Sequence, residues 1–194
     1  MAISAIPFYG MSDQGEFIMN KIIKAALKFG FTVAVEIAAE DICPSENIRA
    51  LCAPDKCSSY GTNHVCPPGC GSFEKCRETV GEYDKGVLLQ IKYENVDTSD
   101  LKVCESLSKD FTDRIIKFRD TLLGKFPMLL TLATGGCREC ERCTYPDVEC
   151  RKPHIRRGSL SAFGVDVGAL CDKYGVEFAF TEKTLYFTAC MLIK

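Results

Sequence analysis

Four cysteines lie within fourteen residues in the stretch GGCRECERCTYPDVECRKP, at positions Cys137, Cys140, Cys143 and Cys150. Gaps of two residues turn the backbone sharply and direct the first three thiolates at one compact centre, which is the spacing of ferredoxin-type cubane clusters. Structural zinc sites instead tend to pair two C-x2-C units separated by about a dozen residues or more. The spacing therefore favours an iron–sulfur cluster over zinc, although the fourth cysteine follows later than in bacterial ferredoxins.

A second group of cysteines lies upstream, in the stretch LCAPDKCSSYGTNHVCPPGCGSFEKC. A four-ligand site must leave one of its five cysteines out. Cys76 is expected about one turn into a helix capped by Ser72, where free N–H groups and the helix dipole favour a thiolate, whereas Cys70 lies between glycines in a turn. We therefore assign the site to Cys52, Cys57, Cys66 and Cys76. The irregular gaps leave open both the metal, iron–sulfur cluster or zinc, and the choice between Cys70 and Cys76.

Three further side chains near the cysteine groups stay unassigned, namely Cys43, His64 and His154. Either histidine could replace a ligand or carry a proton beside a bound group, but solvated loop histidines are commoner. Cys43 precedes a proline in a loop, and a spectator role is the simpler interpretation.

Basic side chains follow the downstream cysteines at Arg151, Lys152, Arg156 and Arg157. A cluster held by four thiolates keeps net negative charge, which nearby cations would partly neutralise, raising the reduction potential. The same cations could dock an acidic redox partner or a phosphorylated small molecule. A solvated surface run is the competing interpretation.

Periodic apolar residues predict the elements that hold these segments. Helices are predicted over residues 16–29, 73–82, 100–123 and 165–174, and strands over residues 31–37, 86–93, 128–133, 175–180 and 184–193. The long third helix joins two strands, so a right-handed crossover between parallel strands is expected. The last two strands are predicted to form a hairpin, and the final strand, apolar on both faces, to be central in its sheet. Cys104, Cys171 and Cys190 fall on apolar faces and are expected to be small buried hydrophobic residues.

These elements indicate an α/β or α+β fold with a mixed sheet, flanking helices and cysteine-rich metal-binding loops at strand and helix ends. The chain has 194 residues, of which 46% are hydrophobic, enough for one substantial core. We predict a single metal-binding domain over residues 1–194, with an N-terminal helix–strand segment over 1–42 and a cysteine-rich core over 43–194.

The charge balance and the N-terminus exclude several classes of function. There are 24 basic and 26 acidic residues, so no overall field attracts nucleic acid or a membrane surface. The N-terminal residues lack the pattern of an export signal, and a cytoplasmic protein is expected. Because cytosolic thiol pools keep cysteines reduced, the thirteen cysteines of this chain are more readily explained as metal ligands than as disulfides.

Taken together, the motifs LC-x4-C-x2-YG-x4-CPPG-x4-E-x-C, YDKGVLLQ, GGC-x2-CE-x-CTYPD-x2-CR-x-P and S-x2-A-x-GVDV resemble the domain of unknown function 2284 family of predicted metal-binding proteins. The resemblance runs from Leu51 to the C-terminus. It implies a metal-binding or iron–sulfur protein and supports the same two groups of four cysteines. One departure is that the family commonly has Ser-Met-Glu-Ala where this chain has Ser159 to Ala162, which puts a carboxylate role there in doubt.

The sequence therefore predicts one or two 4Fe-4S clusters in a protein that moves electrons to a redox partner or a bound small molecule. Whether it is itself an oxidoreductase stays undecided. One alternative is a zinc-binding structural or interaction module without redox activity. Another is a thiol-based metal-delivery protein with reactive cysteines. The sequence also leaves open whether the two cysteine groups lie apart or close enough to exchange ligands.

Overall fold

The structure, a computed structural model, describes residues 11–194; the first ten residues of the predicted segment 1–42 lie outside the described residues. The described part contains five α-helices, α1 (Met11–Lys28), α2 (Glu46–Ala50), α3 (Phe73–Gly81), α4 (Leu101–Leu122) and α5 (Val167–Lys173). It also contains the strands β1 (Val33–Ala38), β2 (Lys85–Glu94), β3 (Leu129–Ala133), β4 (Gly158–Ser159) and β5 (Thr184–Ile193), and a 3-10 turn at Ala39–Asp41.

The five strands form one mixed sheet in the order β1-β2-β5-β3-β4. β2 is antiparallel to β1 and to β5, β3 is antiparallel to β5, and the two-residue β4 runs parallel to β3. Since β2 and β3 both oppose β5, they are parallel to each other, and α4 joins them across the intervening strand. The predicted mixed α/β class and the central position of the last strand are confirmed.

Side chains alternate between two hydrophobic clusters on opposite faces of the sheet. α1 and α4 cover one face, where Phe111 and Ile115 of α4 join Leu89 of β2 in the same cluster. α3 and α5 cover the other face, to which Leu88 of β2 and Cys190 of β5 contribute. Consecutive residues of β2 and β5 are therefore buried on both sides, which explains their unbroken apolar sequences.

The predicted hairpin at the end of the chain is wrong. Residues 175–180 cross the face of the sheet above β2 and β5 instead of pairing at an edge. The side chain of Gln90, which is buried in β2, donates to the carbonyl of Glu177 at 3.0 Å, and the Tyr186 hydroxyl donates to the Glu177 carboxylate at 2.6 Å. Side-chain hydrogen bonds thus hold this segment where the sequence pattern predicted a backbone ladder.

Side chains cap the starts of α3 and α4, and the predicted cap at Ser72 is confirmed. Asp100 accepts the backbone N–H groups of Lys102 and Val103 at the start of α4, at 2.9 and 3.3 Å. Ser72 accepts the N–H of Lys75 at 3.2 Å at the start of α3. Among the cysteines predicted to be buried, Cys171 and Cys190 have no exposed surface.

The prediction that Cys104 is buried is wrong, because this residue is only partly buried. It lies in the first turn of α4, where its thiol donates to the carbonyl of Thr98 in the preceding loop at 3.5 Å. The cysteine is therefore on the same face as Phe111, but at the N-terminal end of the helix, where it contacts the preceding loop.

The double coverage of the central strands gives the first prediction. Leu89→Ala removes a fully buried side chain and should lower the free energy of unfolding by about 2–5 kcal/mol. Leu101→Ala, at a position that is 74% exposed, is the matched control and should change it by less than about 0.5 kcal/mol. Urea unfolding followed by circular dichroism measures both, and equal losses would contradict this description of the core.

Candidate metal centre

The downstream cysteine segment, residues 137–150, begins where β3 ends. Gly135 has a φ of +81°, a conformation that favours glycine, and it turns the chain out of the strand. The four cysteines that follow are half-buried and all line one cavity of about 510 Å³. The predicted group of Cys137, Cys140, Cys143 and Cys150 is therefore gathered around a single space.

An ion pair with little solvent exposure fixes this segment to α4. Glu139, between the first two cysteines, accepts from the Arg119 guanidinium, with 2.5 Å between Nη1 and Oε1. The two side chains are only 3% and 6% exposed. Arg119 Nη1 also donates to the carbonyl of Ile155, beyond the last cysteine, at 2.5 Å. One guanidinium thus holds both ends of the downstream segment against the helix.

A second arginine lies beneath Cys137. Arg157 is 1% exposed and donates to the carbonyls of Thr134 and Gly136, the former at 3.2 Å. Burial lowers the pKa of its guanidinium, and negative charge at Cys137 acts in the opposite direction. Within the described residues Arg157 forms no salt bridge, and its Nε has no hydrogen-bond partner. A buried cation of this kind fits an anionic thiolate centre at Cys137.

The upstream segment, residues 52–76, has no helix or strand before α3 begins at Phe73. Side-chain hydrogen bonds determine the path of this irregular part. Asp55 accepts the N–H groups of Ser59 and Tyr60, both at 2.8 Å, in the turn that carries Cys57. Asn63 accepts the N–H groups of Val65 and Cys66, both at 3.0 Å. These carboxylate and amide contacts fold the loop so that Cys66 points into the protein, where it is buried.

The two cysteine segments adjoin each other. Burial raises the pKa of the Cys66 thiol, Asn63 opposes this, and negative charge at Cys57, Cys52 and Cys137 raises it further. A Cβ atom added to Gly136 would lie 3.7 Å from the Cys66 sulfur. The two groups therefore adjoin each other at Gly136 and Cys66.

His64 also connects the two segments. Its Nε2 lies 3.0 Å from the carbonyl of Val148 and 3.4 Å from the hydroxyl of Thr144. Its ring packs edge-on against Tyr145, with 5.2 Å between centroids. This histidine therefore serves to join the segments, while His154 is exposed.

Cys76 lies in a different environment, together with Cys70 and Arg49. The interaction with the Cys70 thiol and then that with Arg49, whose Nη1 is 3.2 Å from the Cys76 sulfur, lower the pKa of Cys76 to about 6. The same interaction with Cys76, followed by burial, raises the pKa of Cys70. Cys70, which the sequence analysis left out, is thus a direct neighbour of the proposed ligand.

The predicted ligands are therefore arranged in three sets. The downstream four share a cavity, Cys66 lies beside Gly136 and interacts with Cys52 and Cys57, and Cys76 pairs with Cys70. In the part of the chain that the structure describes, no three His, Cys, Asp or Glu side chains converge tightly enough to hold a single metal ion. The basic run is divided too, because Arg151, Lys152 and Arg156 are exposed and line the downstream cavity, while Arg157 is buried.

Sequence reasoning missed three residues that position the cysteines, namely Arg49, Asn63 and Arg119. Arg119 had a detectable signal, because it lies four residues after Ile115 and three before Leu122, on the apolar stripe of α4. Arg49 and Asn63 had none, since each acts through the path of a loop. Arg49 donates to the Gly71 carbonyl of the upstream segment, Asn63 accepts the N–H of Cys66, and Arg119 donates to the Ile155 carbonyl beyond the downstream segment.

Comparison with known proteins adds one finding. The model of the family described as predicted metal-binding protein (DUF2284) matches residues 35–193, which extends the predicted resemblance back into β1. No curated protein and no solved structure matches the chain. Among residues 11–194, no helix has the length and apolarity needed to cross a membrane.

The buried ion pair gives the second prediction. Arg119→Met removes the direct ion-pair partner of the buried Glu139 and should lower the free energy of unfolding by about 3–5 kcal/mol. It should also release the downstream segment, so that metal retained per chain falls. Lys109→Met, at an exposed site on the same helix, is the control. Unfolding curves and elemental analysis of both variants test this, and wild-type metal content in Arg119→Met would contradict the anchoring role.

Proposed function

Because the chain belongs to the DUF2284 family of predicted metal-binding proteins, we propose that it binds 4Fe-4S clusters through its two cysteine groups and transfers electrons. The observation that carries the proposal is the gathering of Cys137, Cys140, Cys143 and Cys150 around one cavity. Their C-x2-C-x2-C spacing is the one that ferredoxin-type clusters use. A four-iron cluster spreads its ligands around a volume, and the cavity provides that volume.

The donor set suits iron–sulfur chemistry. Cys137, Cys140, Cys143 and Cys150 would hold the first cluster, and Cys52, Cys57, Cys66 and Cys76 the second. Every proposed donor is a soft thiolate, which selects iron–sulfur clusters, zinc or copper(I) over harder cations. Cys70 is the alternative fourth ligand of the second group, because its thiol lies beside that of Cys76.

Neighbouring residues would tune such a centre. A bound cluster supplies one-electron transfer with little structural rearrangement. Arg157, which is buried beneath Cys137, favours added negative charge there and so raises the reduction potential. Lys152, whose Nζ donates to the Glu139 carbonyl at 2.7 Å, adds a further cation to the lining of the downstream cavity. The chain thus stabilises the more negative form of the downstream centre.

The contact between the segments supports a role for both centres in one path. Because Gly136 lies against Cys66, electrons could pass directly from one centre to the other inside the protein. In this proposal the downstream group is the electron-transferring centre, and the upstream group is its relay or faces a substrate. The electrons come from or go to a redox protein or a bound small molecule, in the reducing environment of the cytoplasm.

A zinc-binding structural module is the second candidate, and the upstream segment favours it. Residues 51–72 form neither helix nor strand, so metal binding there could serve mainly to fold the chain. Zinc would require the four sulfurs to approach within about 4 Å of each other, given Zn–S bonds of about 2.3 Å. A metal-delivery role would instead require Cys70 to stay unligated and reactive beside Cys76.

Metal and sulfide analysis tests the proposal directly. Protein purified without oxygen should contain about eight irons and eight acid-labile sulfides per chain and show a brown absorbance that dithionite bleaches. About two zinc ions and no sulfide would establish the structural module and refute electron transfer. Four irons with one zinc would limit the redox function to one group.

Cysteine substitutions give the third prediction. Cys140→Ser and Cys66→Ser should each remove about half of the iron and of the visible absorbance, because each removes a ligand from a different group. Cys104→Ser, which changes a thiol in α4 outside both groups, should leave both at the wild-type level. Unchanged iron in Cys140→Ser would refute the assignment of the downstream cluster.

A further inference from the structure

A second cavity, of about 590 Å³, lies beside the cysteine segments. Its walls come from α3, from the connection between α4 and β3, and from residues 153–158 after the last cysteine. Cavities of this size hold small organic molecules. None of the eight cysteines proposed as ligands lines this cavity, although Cys70, the alternative fourth ligand of the upstream group, does. The cavity is therefore a separate space that borders the metal centre.

Basic side chains are among the residues that line this cavity. Lys75 of α3 and Arg156 line it together with the exposed imidazole of His154, and no Asp or Glu is among the lining residues. Within the described residues Arg156 forms no salt bridge, and Lys75 has an exposed contact to Glu78 at 3.7 Å. Exposed contacts of this kind are weak. Both cations are therefore free to bind an anion.

Much of the remaining lining is apolar. Phe126 and Met128 come from the connection before β3, Leu130 from β3, and Phe163 from the segment that follows β4. A cavity lined by both cations and apolar side chains selects ligands that have both characters. Inorganic anions would leave the apolar wall uncovered, and neutral apolar molecules would leave the cations unused.

We propose that this cavity binds a small organic anion, a phosphate or carboxylate attached to an apolar body, through Lys75 and Arg156. His64 and Arg156 line both this cavity and the one around the downstream cysteines. A ligand bound here therefore lies next to the metal centre. The inference does not depend on whether the cysteines hold iron or zinc.

Phenyl phosphate is a suitable probe, because it combines a doubly charged group with an aromatic ring. Its binding to the metal-loaded protein is measured by ligand-observed NMR and by calorimetry, beside benzyl alcohol and inorganic phosphate. We expect saturable binding of phenyl phosphate with one site per chain, and much weaker binding of the other two. No saturable binding of phenyl phosphate, or equal affinity for inorganic phosphate, would overturn the proposal.

Variants locate the site. Lys75→Gln and Arg156→Gln should each weaken the binding of phenyl phosphate roughly threefold to fivefold, and the double variant about tenfold or more. Arg77→Gln, on the same helix but outside the cavity lining, should have no effect. Affinity unchanged in the double variant would overturn the assignment to this cavity.

Thr79 offers a test that leaves both cations in place. It lines the cavity on α3, one turn after Lys75. Thr79→Glu adds a carboxylate to the wall and should abolish binding of phenyl phosphate, whereas Thr79→Gln, with nearly the same shape and no charge, should retain it. Thermal unfolding of both variants checks that they are folded. Equal affinities of two folded variants would refute an anion site here.

Discussion

Burying an arginine costs several kcal/mol unless its charge and its hydrogen bonds are matched, and this fold places two of them under the downstream cysteine segment. Arg119 is matched by Glu139 and by a carbonyl beyond the last cysteine. Arg157 donates to the carbonyls of Thr134 and Gly136 and forms no salt bridge among the described residues, and negative charge at Cys137 and Glu139 acts on it without direct contact. The two arginines affect the downstream cysteine segment in different ways. Arg119 fixes the path of its backbone, and Arg157 provides a positive potential that stabilises a thiolate at Cys137.

The need for Arg157 follows in turn from the sheet. β5 and β2 are ten residues long, whereas β3 has five residues and ends at Ala133. β3 therefore stops pairing with β5 at a point beyond which β5 still extends. Thr134 stays in contact with Thr188 of β5 at 3.0 Å, but the following carbonyls have no strand to pair with. Arg157, which is brought to the same place by the parallel strand β4, donates to them. The Arg157 guanidinium thus provides the hydrogen bonds that a neighbouring strand would otherwise provide to the carbonyls of Thr134 and Gly136. The same guanidinium places a positive charge next to the first cysteine of the downstream segment.

Elements fixed by local periodicity could be predicted from the sequence, and contacts between loops could not. α4 follows from its apolar spacing and from Asp100 as its cap, and the central strand follows from its two apolar faces. The segment at 175–180 has strand-like residues, but the contacts of Glu177 with Gln90 and Tyr186 hold it over the sheet. Nothing in local sequence encodes such a contact. The eight cysteines could be named from spacing, but their neighbours depend on loop paths set by side chains such as Asn63.

The arrangement of the thiols bears on how two centres would work together. Thiolate centres placed side by side repel one another in a partly buried environment, so adding an electron to one makes reduction of the other harder. A fixed cation near each centre offsets part of the cost of gathering negative charge there. Arg49 lies in contact with the Cys76 sulfur and also acts on Cys52, and Arg157 lies beneath Cys137. The upstream group and the downstream group therefore each have a buried or half-buried guanidinium nearby. These two positive charges would stabilise two negative centres in adjoining segments, which meet where Gly136 lies against Cys66.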